Sequence, residues 1–221
     1  MELMPQGGKI ILAFDHDAGG DSLAERIKVL FSDLSFHLNA GQLLQIAGPN
    51  GSGKTSLLRI LAGLSSRYSG EVLWQGKSLQ KNRHDYLQQL LYIGHGAGIK
   101  AVLSPLENLR WSCALRGAEN SDVVLLDALN KVGLRGFEEQ PCFSLSAGQQ
   151  RRVNLARLFC IPAQLWILDE PFTAIDQGGV CEIEQWLSEF VSGGGSVLLT
   201  THHKLSVSQG FNVITLGASN V

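Results

Sequence analysis

The sequence lacks the features that mark several broad classes of protein. Its 18 lysine and arginine residues are balanced by 20 aspartate and glutamate residues, so no basic excess predicts a nucleic-acid partner. No apolar run approaches the roughly 20 residues that a membrane-spanning helix needs. Residues 1–11 also lack the basic and apolar segments of a secretory signal. We therefore expect a cytoplasmic chain that does not bind nucleic acid.

Cysteine and clustered basic residues are both scarce. The four cysteines, at positions 113, 142, 160 and 181, form no CxxC pair, which excludes the usual zinc and redox motifs. We expect four reduced structural thiols. Residues 149–152 include two arginines, and we interpret this short polar run as a solvated helix face rather than a polyanion site.

Apolar runs typical of strands alternate with segments typical of helices. Strands are predicted at residues 9–14, 29–38, 42–47, 71–74, 165–168 and 196–200, and helices at 55–64, 149–160 and 180–191. Residues 105–136 have a mostly helical composition. This alternation predicts an α/β fold with a mostly parallel sheet.

A glycine-rich loop lies between a predicted strand and a predicted helix. Its residues are Gly48, Pro49, Asn50, Gly51, Ser52, Gly53, Lys54 and Thr55, in the pattern G-x-x-x-x-G-K-[ST]. Glycines let successive N–H groups surround phosphate oxygens. Lys54 can reach the β- and γ-phosphates, Thr55 can give its hydroxyl to Mg²⁺, and Ser56 adds a hydroxyl near the α-phosphate. The context predicts a nucleotide phosphate site rather than a plain glycine turn.

An acidic pair, Asp169 and Glu170, ends the apolar run at residues 165–168. An acid at the carboxyl end of a buried parallel strand faces the ligand crevice. We expect Asp169 to hold Mg²⁺ and Glu170 to act as the general base on an attacking water. The alternative is that both acids only cap the following helix. The phosphate loop upstream favours the metal and base roles.

A third motif, Leu145-Ser146-Ala147-Gly148-Gln149, resembles the signature of ABC-type ATPases, with Ala147 where glycine is commoner. Residues 173–176 resemble the D-loop, and Thr201-His202 the switch histidine. The resemblance extends from about residue 9 to residue 216. It implies a single ABC ATPase domain over residues 1–221. This is a P-loop NTPase with a RecA-like core, an N-terminal antiparallel β subdomain and a helical subdomain at about residues 96–150.

The resemblance also implies how the motifs cooperate. Two subunits form a head-to-tail homodimer, in which ATP on the loop of one subunit is capped by Ser146, Gly148 and Gln149 of the other. Lys54, Glu170 and His202 are the catalytic residues that it implies. His202 contacts the γ-phosphate and helps to hold the water; the alternative is a hydrogen-bonded histidine at a strand end. His203 is expected in a solvated turn.

Two positions depart from the family pattern. His95 stands where the glutamine of the Q-loop is expected, and it is a candidate Mg²⁺ ligand and a link to the membrane partner. The aromatic residue that stacks on adenine is not fixed, because Phe14 and His16 both lie near the expected place.

Longer stretches are similar to the CcmA family, the ATPase subunits of the bacterial cytochrome c maturation system. They are residues 71–76, 92–95, 106–109, 145–152 and 165–176, and a histidine at the Q-loop position also occurs in that family. The resemblance implies a peripheral ATPase on the cytoplasmic face of the inner membrane. It would pair with the membrane subunit CcmB and work with CcmC and the haem chaperone CcmE.

The resemblance implies a haem-export system, in which release of haem-loaded CcmE is the better-supported role of ATP hydrolysis. The alternatives are an ABC ATPase of an exporter with other cargo, a soluble ABC protein outside transport, and a degenerate cassette that does not hydrolyse ATP. The last is disfavoured because Lys54, Asp169, Glu170 and His202 are all present.

Overall fold

The computed structural model describes residues 10–13, 34–66, 68–206 and 210–217. Its strands are β1 (Ile10–Ala13), β2 (Phe36–Leu38), β3 (Leu43–Ala47), β4 (Glu71–Trp74), β5 (Lys77–Ser78), β6 (Leu90–Ile93), β7 (Leu165–Asp169), β8 (Ser196–Thr200) and β9 (Phe211–Thr215). Its helices are α1 (Lys54–Leu61), α2 (Arg83–Gln89), α3 (Pro105–Arg116), α4 (Asp122–Lys131), α5 (Ala147–Leu155), α6 (Arg157–Cys160) and α7 (Gln177–Ser192). The predicted helix at 149–160 is interrupted at Ala156, and β5, α2, β6 and β9 were not predicted.

The strands form two sheets. The five-stranded sheet has the order β6-β7-β8-β3-β9, and every pairing within it is parallel. The four-stranded sheet has the order β2-β1-β4-β5 and is antiparallel throughout. The predicted α/β fold is confirmed, including the antiparallel β part that the family resemblance implied.

The parallel sheet is covered on both faces, which explains why its central strands read as continuous apolar runs. Successive residues of β7 point to opposite faces. Leu165 and Ile167 join the cluster that contains α1, whereas Trp166 and Leu168 join the cluster that contains α7 and the helices between β6 and β7. Both clusters are therefore anchored on the same strand.

Helix α3 begins and ends where its sequence places caps. The Ser104 hydroxyl accepts a hydrogen bond from the N–H of Glu107, and the Glu107 carboxylate accepts one from the N–H of Ser104, with Pro105 as the first helical residue. Gly117 ends the helix with a φ of 61°. Helices α3 and α4 lie within residues 105–136, as the composition predicted. No helix in the described ranges has the length and apolar character needed to cross a bilayer.

The candidate site lies at the carboxyl edge of the parallel sheet. Strand β3 leads into the glycine loop, β7 into Glu170, β8 into His202 and β6 into His95. In the pairing of β7 with β8, Asp169 lies opposite Thr200. Because parallel strands end on one edge, the fold brings these distant segments together.

Candidate functional site

A cavity of about 610 Å³ opens at this edge of the sheet. Its lining combines the phosphate loop, the acidic pair and two histidines: Asn50, Gly51, Gly53, Lys54, Thr55, Ser56, His95, Asp169, Glu170, Thr173 and His202. The residues predicted to hold Mg²⁺ and to carry catalysis thus line one space with six residues of the predicted phosphate site, although they come from four different strand ends. Gly48, Pro49 and Ser52 of the loop are not part of this lining.

The phosphate loop has the backbone that its glycines permit. Gly48, Gly51 and Gly53 have φ values of 142°, 81° and 96°, in the half of conformational space that residues with a Cβ rarely occupy. The Lys54 ammonium donates to the carbonyl of Gly48 at 2.7 Å and to that of Pro49 at 3.0 Å. The lysine side chain therefore folds back over the loop, and it lines the cavity.

Asp169 is held in a buried position with one oxygen left free. The residue is 2% exposed, and its Oδ1 accepts a hydrogen bond from the Thr200 hydroxyl at 2.7 Å. Its Oδ2 is buried and has no hydrogen-bond partner among the described residues. A buried carboxylate oxygen without a partner is costly, and a bound cation would satisfy it.

Glu170 adopts a backbone conformation that is rare for a residue with a side chain, with a φ of 50°. Its N–H donates to both the carbonyl and the hydroxyl of Thr200, each at 3.1 Å. Its carboxylate accepts from the His202 N–H at 3.3 Å and lies 3.6 Å from the His202 Nε2. The segments that end β7 and β8 therefore hold the Glu170 carboxylate on the cavity wall beside His202.

The interpretation of these acids as helix caps is wrong. The helix that follows them, α7, is capped by Asp176, whose side chain accepts from the Gly179 N–H at 3.3 Å. Asp169 and Glu170 lie before this cap and line the cavity instead.

The interpretation of residues 149–152 as a solvated helix face is also wrong. Arg151 is 5% exposed, and its guanidinium donates to main-chain carbonyls that surround it. Burial lowers the pKa of this guanidinium, while the nearby carboxylates of Asp169 and Glu170 act in the opposite direction. Arg152 has a side chain that is 17% exposed and pairs with Asp176 and Glu182. Both arginines connect α5, the helix that begins within the signature and is called the signature helix below, to other segments.

The signature residues lie outside the lining of this cavity. Ser146 caps α5: its hydroxyl accepts from the Gln149 N–H at 3.2 Å, and the Gln149 side chain accepts from the Ser146 N–H at 2.9 Å. A Cβ added at Gly148 would lie 2.6 Å from the Ala174 carbonyl oxygen, so only glycine permits this approach. Ser146 and Ala147 are exposed, and the N–H groups of the first helical residues have no acceptor within their helix.

The histidines take different positions. His95 lines the cavity and is exposed. His203 is exposed in a bend, as expected. Its Nε2 lies 3.3 Å from Glu184, and its ring centroid lies 5.2 Å from that of Phe172. Phe14 and His16, the candidates for adenine stacking, lie outside the described residues.

The cysteines are free thiols, as predicted. Cys113, Cys142 and Cys160 are buried, and Cys181 is exposed. Burial raises the pKa of the three buried thiols. No cluster of three or more histidine, cysteine, aspartate or glutamate residues with the arrangement of a metal site occurs in the described part of the chain.

Sequence reasoning missed two residues that hold the acidic pair, Thr200 and Arg151. Thr200 ends a predicted apolar strand, and its hydroxyl becomes a detectable signal only once the strand order places it opposite Asp169. Arg151 gave no such signal, because its acceptors are main-chain carbonyls.

The chain is similar to known ABC transporter proteins. The family model for the ABC transporter matches residues 31–173. The cytochrome c biogenesis ATP-binding export protein CcmA of Pseudomonas fluorescens is 54% identical over 192 residues, covering 86% of this chain and 90% of that protein. The CcmA protein of Hahella chejuensis is 51% identical over 191 residues, with the same coverage. This chain belongs to the CcmA family of ABC transporter ATP-binding proteins.

The fold is shared more widely. An ABC transporter ATP-binding protein of Pyrococcus furiosus superposes with a TM-score of 0.76 at 22% identity, covering 93% of this chain and 96% of that one. The ATP-binding subunit of another ABC transporter gives a TM-score of 0.77 at 20% identity, covering 96% of this chain and 88% of the other. The chain is thus an ABC-type ATPase of the CcmA family with the fold of ABC ATP-binding subunits.

Proposed function

We propose that this chain is the ATP-hydrolysing subunit of a bacterial cytochrome c maturation complex. The observation that carries the proposal is the shared cavity, in which the phosphate loop faces Asp169, Glu170 and His202. The assignment to cytochrome c maturation rests on the identity with CcmA proteins.

The residues present fit ATP and Mg²⁺. The buried Oδ2 of Asp169 and the buried hydroxyl of Ser52 have no hydrogen-bond partner among the described residues, and both belong to motifs that bind a metal–nucleotide pair. Thr55 and Asp169 would hold Mg²⁺, and His95 is a further candidate on the same wall. The ion, when bound, offsets the negative charge of the β- and γ-phosphates.

The protein residues divide the remaining tasks. Residues 48–56 bind the phosphates through N–H groups and hydroxyls, with Lys54 leaving its two carbonyl acceptors to meet the β- and γ-phosphates. Glu170 accepts the proton of the attacking water. His202 fixes the Glu170 carboxylate through its N–H and contacts the γ-phosphate through its ring.

The complete site is formed by two subunits. Ser146, Gly148 and Gln149 do not line the cavity of their own chain, and the exposed start of α5 can offer N–H groups and a helix dipole to a phosphate. We assign them to the ATP of a second copy in a head-to-tail homodimer. A monomer is then a poor enzyme.

The subunit acts as a peripheral protein on the cytoplasmic face of the inner membrane. Its membrane-spanning partner is CcmB, with CcmC and CcmE as further members of the system. ATP hydrolysis drives haem export or, in the more specific form of the proposal, release of haem-loaded CcmE.

The test combines an enzyme assay with a cellular one. Glu170→Gln should keep ATP binding and slow turnover by about a hundredfold or more, since the amide cannot accept the proton. Glu189→Gln, on the exposed side of α7, is the matched control and should behave as wild type. Unchanged hydrolysis by Glu170→Gln would remove Glu170 from its role.

In cells that lack this gene, the wild-type chain should restore covalent c-type haem and Glu170→Gln should not. Normal c-type cytochromes in the deletion strain would contradict the assignment to cytochrome c maturation. An active ATPase together with that result would indicate an exporter with other cargo.

A further inference from the structure

Arg151 occupies an unusual position in the signature helix. It lies three residues after Gly148 on α5 and is 5% exposed. Its Nη1 donates to the Gly94 carbonyl at 2.9 Å. Its Nη2 donates to the carbonyls of Asp169 at 3.0 Å and Glu170 at 2.8 Å, and its Nε lies 3.4 Å from the Pro171 carbonyl.

All four acceptors are main-chain oxygens. The guanidinium therefore fixes the path of the backbone through residues 169–171 and connects it to the residue before His95. The planar guanidinium of arginine has several N–H donors in fixed positions and can bond to all four oxygens at once. The single ammonium of lysine cannot reach all four oxygens in the same geometry.

The backbone at Glu170 needs this support. Its φ of 50° is unfavourable for a residue with a side chain and persists only where the surroundings determine it. Thr200 holds the N–H side of the residue through two contacts of 3.1 Å. Arg151 holds the carbonyl side, so the peptide groups on both sides of the Glu170 Cα are fixed, and with them the direction of the carboxylate.

We propose that Arg151 is a positioning residue that sets the orientation of the Glu170 carboxylate from the signature helix. It acts through Glu170 and does not touch the nucleotide. The inference rests on the proposed role of Glu170 as general base. In the proposed dimer, Arg151 connects two parts of one subunit. The signature residues cap the ATP of the second copy, and Glu170 acts on the ATP of its own subunit.

The experiment uses the full-length chain in its membrane complex. Arg151→Lys should lower kcat by about tenfold or more, while KM for ATP and the affinity for nucleotide change by less than about threefold, because the phosphate loop is untouched. Arg151→Gln, which loses the charge and most donors, should be slower still and serves as the second variant if the lysine variant does not fold. Arg157→Lys is the control. This arginine is partly buried at the start of α6, its Nη1 donates to the side chain of Asn154, and the kcat of the variant should stay within about twofold of the wild-type value.

A double-variant cycle separates positioning from general stabilisation. If Arg151 acts through Glu170, adding Arg151→Lys to Glu170→Gln should cause less than about a twofold further loss of kcat. The inference would be overturned if the kcat losses of the two single variants multiplied fully in the double variant, or if Arg151→Lys had the kcat of wild type. Either result would leave the role of Glu170 intact. Unchanged hydrolysis by Glu170→Gln alone would instead contradict the proposed function.

Discussion

Replacing Gly148 by alanine tests the contact between the signature helix and the segment before α7. In an ordinary helix this change is favourable by about 0.5–1 kcal/mol, because alanine loses less conformational entropy than glycine. Here the new Cβ would lie 2.6 Å from the Ala174 carbonyl oxygen. Because this oxygen belongs to the main chain, the distance can increase only if α5 or the segment at residues 173–176 shifts. Overpacking of this kind costs about 1–3 kcal/mol, so the clash outweighs the propensity and the variant should be less stable.

Gly178 supplies a matched control. It is the second residue of α7, as Gly148 is the second residue of α5. A Cβ at Gly178 would meet only the Asp176 carboxylate, at 3.9 Å, an ordinary contact distance. Gly178→Ala therefore keeps the propensity gain without the clash. The two variants should change stability in opposite directions and differ by about 1–3 kcal/mol.

Urea unfolding followed by tryptophan fluorescence measures this difference. With an m-value of about 2 kcal/mol per molar urea, the midpoints of the two variants should differ by about 0.5–1.5 M at equal m. A Gly148→Ala midpoint equal to or above that of Gly178→Ala would refute the close approach of α5 to Ala174. If the stability falls as expected, ATP turnover of the complex should fall too, because Ser146 lies on the helix that must move.

Two further predictions concern buried groups. Thr200→Val removes the donor to Asp169 and should lower the free energy of unfolding by about 1.5–3 kcal/mol, the usual contribution of a hydrogen bond to a charged group. Thr200→Ser keeps the hydroxyl and should stay near wild type. Equal unfolding midpoints for the two variants would contradict the hydrogen bond. A thiol reagent at neutral pH should label only Cys181 in the folded chain and all four cysteines in urea. Burial raises the pKa of the other three thiols and so keeps them protonated and unreactive; labelling of two or more in the folded chain, counted by mass spectrometry, would show that this burial is incomplete.

The parts of the site that could be predicted from sequence are those that depend on local patterns. The phosphate loop needs a strand, glycines with positive φ and a helix in immediate succession, and all three occur within residues 43–61. Asp169 is the last residue of a strand whose residues are all buried, and the apolar run at residues 165–168 predicts that strand. Strand β9 was missed for the opposite reason. It is an edge strand with mostly exposed residues, and Asn212 and Thr215 interrupt its apolar residues.

The contacts that hold the acidic pair depend on sheet order, which local patterns do not contain. Thr200 reaches Asp169 across 31 positions of sequence because β8 lies beside β7 in a register that pairs them. The same strands could be arranged in the sheet in other orders, and each order would place a different residue opposite Asp169. The hydroxyl is therefore recognisable only once the strand order is known.

Arg151 shows the same limit in a different form. Two adjacent arginines on a helix ordinarily predict a solvated face, since unpaired charges are rarely buried. The guanidinium of Arg151 is buried because main-chain carbonyls of Gly94, Asp169, Glu170 and Pro171 replace water as its acceptors. Every residue has a carbonyl, so no side chain in those segments records the contact. A buried arginine of this kind can be found only from the path of the backbone, and its effect on catalysis must be sought in the residue whose backbone it holds.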